Sequence, residues 1–105
     1  MRSTFQIIFD FEEAKRQAQK IDDVAERMEE LANQKLGQAR ENLTAYWQGS
    51  SAGAFQERQN ELQQGILGTA EALHQQADNI RMIAKRLYDA EMEALRIAEE
   101  RSYGG

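Results

Sequence analysis

His74 is the only histidine in a 105-residue chain that has 18 acidic side chains and no cysteine. Thiolate chemistry, disulfides and cysteine metal sites are therefore excluded. A zinc site or a nucleophile-histidine triad would have to be built around His74 alone, and no second ligand or base is at hand. Glu71-Ala72-Leu73-His74 matches the Glu-x-x-His element of di-iron bundles, but it occurs once, and the core glutamates that would complete such a site are missing. His74 and Asp78 are four residues apart, a spacing suited to a hydrogen bond along a helix surface. Gly49 and Gly53 flank Ser50-Ser51-Ala52 without the lysine that a phosphate-binding loop needs. No catalytic residue, cofactor site or metal site is expected, and the chain does not read as an enzyme. The side chain best placed for recognition is Trp47, the only tryptophan, in Trp47-Gln48-Gly49 near the midpoint of the chain. Tryptophan is enriched at the energetic centres of protein interfaces.

Composition narrows the class. Hydrophobic residues make up 41% and charged residues 30%, and proline is absent. That balance fits long helices with few turns. The length suits a single domain spanning residues 1–105. A net charge of −5 argues against nucleic acid, because binding phosphates requires clustered lysine and arginine. The basic residues are instead mixed with acids, as on a solvated helix face. No apolar run approaches the ~20 residues that span a bilayer, so membrane insertion is not expected. The apolar start, Phe5-Gln6-Ile7-Ile8-Phe9, is too short for a secretory signal peptide. If the protein is exported, it uses no cleaved leader.

Two long helices must position Trp47. The spacing predicts a first helix over about 11–46. A short extended lead-in covers residues 3–9, and Asp10 serves as N-cap, with Glu13 completing a capping box. The seam Phe11, Ala14, Ala18, Ile21, Ala25, Met28, Ala32, Leu36, Ala39, Leu43, Tyr46 is a heptad pattern with one stutter at Met28-Ala32-Leu36. Gly49 closes the helix, Ser50 or Ser51 caps the next, and residues 47–49 form the turn. The second helix is predicted over about 51–101, with the seam Phe55, Leu62, Ile66, Ala70, Leu73, Ala77, Ile80, Ala84, Leu87, Leu95, Ala98 and a fraying tail beyond. Gly65 and Gly68 interrupt it, either as weak spots of about 1 kcal/mol each or as points of close helix approach, with Gly65 opposite Ala32. So short a connection makes the helices antiparallel neighbours.

A second apolar set, Val24, Leu31 and Leu36 on one helix and Leu67, Ile83, Tyr88, Met92 and Ile97 on the other, lies beside this seam. Together they exceed what two helices can cover. The expected fold is an all-α antiparallel helix-turn-helix hairpin that dimerises into a four-helix bundle. Ile21, Met28, Leu36, Leu43, Phe55, Leu62, Ile66, Leu73, Ile80 and Leu87 are the expected interface residues.

Trp47-Gln48-Gly49 between two helices in a chain of this length resembles the WXG-100 family of small type VII secretion proteins. The run Tyr46-Trp47-Gln48-Gly49-Ser50-Ser51-Ala52-Gly53-Ala54-Phe55 is similar to the family's turn. The resemblance implies export through an ATPase-driven membrane machine, without a cleaved signal, by way of the cytoplasm of a Gram-positive bacterium. It implies pairing with a second copy, with a paralogous WXG protein, or with the helical N-terminal region of an LXG toxin that the small protein helps to export. It also implies that Trp47 and Gly49 form half of an export signal, completed by a Tyr-x-x-x-Asp/Glu motif. Here Tyr88 is followed four places on by Met92, with Glu91 and Glu93 on either side. The alternative is a cytosolic structural or adaptor helical bundle with a chance Trp-x-Gly.

Overall fold

The computed structural model describes the backbone of residues 2–46 and 50–104, and the side chains of these except at 43–46, 50–52 and 103–104. Every described residue from Thr4 onward is helical, and none is in a strand. Helix α1 is Thr4–Glu30 and is followed without a break by a π-helical turn, Leu31–Lys35, and by α2, Leu36–Tyr46. Helix α3 is Ser50–Gly104. The topology is that of an antiparallel helical hairpin.

The first helix begins seven residues before the expected start at Phe11, and the reason lies in its cap. Ser3 Oγ accepts the Gln6 amide at 3.2 Å, and the Ser3 amide donates to Gln6 Oε1 at 3.2 Å. Ser3-x-x-Gln6 is thus a reciprocal capping box, and it satisfies amides that the helix would otherwise leave open. Asp10 and Glu13 do not cap. Asp10 pairs with Arg2, and Glu13 accepts from Arg16 and Gln17. Residues 3–9 therefore do not form an extended lead-in. Phe5 and Phe9, four apart, stack at 6.2 Å between ring centroids, as helical neighbours do.

The chain forms two compact units. One joins residues 1–20 to 76–105, and within it Arg2 meets Glu91 while Phe11 meets Tyr88. The other is residues 21–75, in which His74 reaches both Asp22 and Glu29. In the first unit, the more N-terminal residue pairs with the more C-terminal partner, as antiparallel segments require.

The buried layer is small-chained. Among the described residues it consists of Ile7, Ala18, Ala77 and Ala84 in the first unit and Ala25, Ala32 and Ala70 in the second. Ala18, Ala25 and Ala32 repeat every seven residues, as do Ala70, Ala77 and Ala84, so one position of the heptad faces inward on each helix. Among the described residues, no large side chain is fully buried.

The expected stutter coincides with the π turn. The Leu36 amide bonds to Leu31 O, five residues back, which adds one residue to that turn. The buried side moves from Ala32 to half-buried Leu36 and Gly37. Close approach does not explain Gly65 or Gly68, because a Cβ at either would meet nothing within 4 Å. They are weak spots in α3, and Thr69 Oγ1 bonds back to Gly65 O at 3.0 Å beside them.

Candidate interaction surface

The turn expected to carry recognition, Trp47-Gln48-Gly49, lies outside the described residues, as do the side chains of Leu43, Ser50 and Ser51. Tyr88 is described and half-buried. Its ring sits 4.7 Å from that of Phe11, tilted by 32°. Lys15 Nζ lies 4.6 Å from the Phe11 centroid and Lys85 Nζ lies 5.3 Å from that of Tyr88, so the aromatic pair carries a cation on each ring. Beside the pair is an apolar cleft lined by Ile7, Ala14, Ala84 and Leu87.

Arg2 closes one end of this cleft. Its guanidinium donates to Glu91 Oε1 at 2.9 Å and to the Gln6 carbonyl at 3.3 Å, and it pairs with Asp10. The acids near Tyr88 are thereby committed in different ways. Glu91 turns toward α1, whereas Glu93 is held by Arg96, whose hydrogen bond lowers the Glu93 carboxyl below its usual range. Met92, at the position where the family motif has an acid, is half-buried.

In the second unit, His74 departs from its expected partner. Asp78 accepts from Arg81 at 3.1 Å, and His74 instead bridges to α1. Nδ1 lies 2.6 Å from Asp22 Oδ1 and Nε2 lies 2.7 Å from Glu29 Oε1. Both contacts are satisfied when the ring is protonated and donates from each nitrogen. The hydrogen bonds to Asp22 and then Glu29 raise the His74 pKa above its ordinary value. Sequence reasoning missed the bridge because its ends are 52 and 45 residues apart. The available signal was the seven-residue spacing of Asp22 and Glu29, which puts both on one helix face. The two ring nitrogens point in opposite directions, so this cluster does not converge on a metal. Among the described residues, no group of three or more histidine, aspartate or glutamate side chains could hold one.

The expected interface positions are mostly half-open in the single chain. Ile21, Met28, Leu36, Phe55, Ile66, Leu73 and Ile80 are half-buried, whereas Leu62 and Leu87 are 54% and 56% exposed. Val24, Leu31, Ile83 and Ile97, from the flanking set, are also exposed. Two further contributors were not anticipated. Met82 is exposed, and so is the patch of Phe5, Ile8 and Phe9, where Phe5 is 75% open. The patch was missed because residues 3–9 were expected to be extended, which would put Phe5 and Phe9 on one face only as alternating strand residues. No helix among the described residues is long and apolar enough to cross a membrane.

An all-α hairpin with an alanine seam and exposed large apolar side chains defines a small helical-hairpin protein. Its sequence matches the model of the WXG100 family, described as proteins of 100 residues with WXG, over residues 6–92. The chain belongs to that family, and it is a small protein associated with type VII secretion. Members are small secreted helical proteins, not enzymes, and they typically self-associate or pair with paralogues. Comparison with curated proteins and with solved structures gave no match.

Proposed function

We propose that this chain is an exported type VII secretion protein that works as one half of a four-helix bundle, either as a substrate or as the targeting partner of an effector. The observation that carries this reading is the contrast between its core and its surface. Among the described residues, those buried are alanines and one isoleucine, while Phe5, Phe9, Leu62, Ile83 and Leu87 are more than half exposed. Burial of apolar area is the main favourable contribution to helix pairing, at roughly 25 cal/mol per Å². An alanine seam removes little such area, and a partner hairpin seated on the open face removes much more.

The partner is a second copy, a paralogous WXG protein, or the helical N-terminal region of an LXG effector. Ile21, Met28, Leu36, Leu43, Phe55, Leu62, Ile66, Leu73, Ile80 and Leu87 line the shared interface. Trp47 and Gly49 carry recognition by the secretion ATPase, with Tyr88 near the second part of the signal. Export proceeds from the cytoplasm of a Gram-positive cell.

Sedimentation of the purified chain separates these partners. A dimer at micromolar concentration is the expected result for self-pairing. A monomer that forms a stable complex with a co-expressed paralogue or effector segment points to a heterocomplex. A monomer that binds neither sinks the bundle. For the signal, Trp47→Ala and Gly49→Ala should abolish secretion while helical circular dichroism is retained, and normal secretion of both would remove the recognition role.

A further inference from the structure

His74 joins the two helices of the second unit at a position where each changes character. On the first helix the π turn begins at Leu31, just after Glu29. On α3, Gly68 and Gly65 precede His74, and both lack any packing where a side chain would begin. A π turn breaks the regular hydrogen-bond ladder, and glycine within a helix is less favourable than alanine. Beyond the bridge, Leu31 and Leu62 are exposed. The turn-side segments of this unit thus carry both the π turn and two helical glycines without packing at the Cβ position.

The bridge depends on charge. Protonated imidazole has two N–H donors and meets two carboxylates. Neutral imidazole has one donor, so its other nitrogen would turn a lone pair toward a carboxylate oxygen at 2.6 or 2.7 Å. One of the two contacts must then break. Charged groups of both signs occur near the bridge, with Arg27 between Asp22 and Glu29 on α1 and Arg81 two turns beyond His74 on α3. Asp22, Glu26 and Glu29 lie along α1, and Glu71 and Asp78 lie within one turn on α3, Asp78 being bound to Arg81.

We propose that His74 is a pH-operated latch, which when protonated ties α3 to Asp22 and Glu29 of α1 and when neutral frees the turn-side segments, residues 31–46 and 53–68, to open. Folding raises the His74 pKa above the ordinary value of 6.5, through the hydrogen bonds to Asp22 and Glu29. The latch is therefore fully engaged below pH 6.5 and is lost as pH rises through the raised folded-state value. A small acidification closes the turn-side half, and a rise in pH loosens it.

Amide hydrogen exchange of the full chain between pH 5.5 and 8.5, at one protein concentration and corrected for the intrinsic pH dependence of exchange, tests this. A parallel NMR titration locates the imidazole midpoint. Protection in residues 31–46 and 53–68 should fall by roughly three- to tenfold, with an inflection at that midpoint, above 6.5. Protection in residues 4–20 and 76–100 should show no such inflection. In His74→Gln, which keeps a donor but does not titrate, the inflection should vanish. Asp22→Asn should lower the midpoint and carry the inflection with it, which gives a second arm if the glutamine variant does not fold. A flat wild-type profile, an inflection that persists in His74→Gln, or a midpoint at or below 6.5 would overturn the proposal.

Discussion

The pairing of residues 2–20 with 76–102 and the pairing within residues 21–75 share a buried layer of alanines but are fastened differently. The first is held by Phe11 on Tyr88 and by Arg2, which reaches both Asp10 and Glu91. An aromatic pair and a guanidinium keep their character across the physiological pH range. In the second, His74 bonds across the helices to two carboxylates, and the unit contains the π turn and Gly65 and Gly68. Its fastening titrates, and its helices carry the irregularities. One heptad pattern thus produces one half built to stay paired and another able to respond to conditions.

Five substitutions sharpen this comparison, from the largest effect to the smallest. Ala25→Leu should destabilise by about 1–3 kcal/mol in urea unfolding, because a fully buried alanine between two helices leaves no room for three more carbons. A neutral or stabilising result would mean that the second unit's seam is loosely packed. Phe11→Ala should cost about 1–2 kcal/mol, from partial burial and the lost aromatic pair. That loss should be equal at pH 5.5 and 8.5, in contrast to the His74 contribution, which fades as pH rises. A pH-dependent loss at Phe11 would erase the distinction between the two units. Ser3→Ala should cost about 1 kcal/mol as the loss of a helix cap, whereas Asp10→Ala should carry no capping cost. The reverse order would restore the helix start to the neighbourhood of Phe11. Gly65→Ala should raise stability by about 0.5–1 kcal/mol, because the new methyl meets open space and the backbone loses less entropy on folding. A loss instead would show that another chain approaches the backbone there.

Much of this was legible along the chain. The seam from Phe11 to Tyr46 and the seam from Phe55 onward announced two helices, because a 3.6-residue period is a local property that backbone hydrogen bonding enforces. The seam's stutter at Met28-Ala32-Leu36 was also legible, but that it is accommodated by a π turn was not. The helix start was misread because two capping boxes compete within the first thirteen residues. Ser3-x-x-Gln6 and Asp10-x-x-Glu13 look alike in sequence, and Arg2 removes Asp10 from the contest. The exposed Phe5, Ile8 and Phe9 were hidden by that same misreading.

By itself, the sequence determined the helices, their antiparallel order and the excess of apolar surface, along with the absence of cysteine chemistry and the family motif. These follow from local spacing and composition, which need no partner to be read. Only the tertiary structure decided that the seam's alanines, rather than its larger residues, form the buried layer, that Arg2 engages Glu91 and that Phe11 engages Tyr88. It likewise decided that His74 spans to Asp22 and Glu29 rather than bonding along its own helix to Asp78. The physical reason is register. Which residues meet across two helices depends on how far one is shifted along the other, and a π turn or a buried alanine in place of leucine changes that shift without changing the helical pattern of either strand of the hairpin.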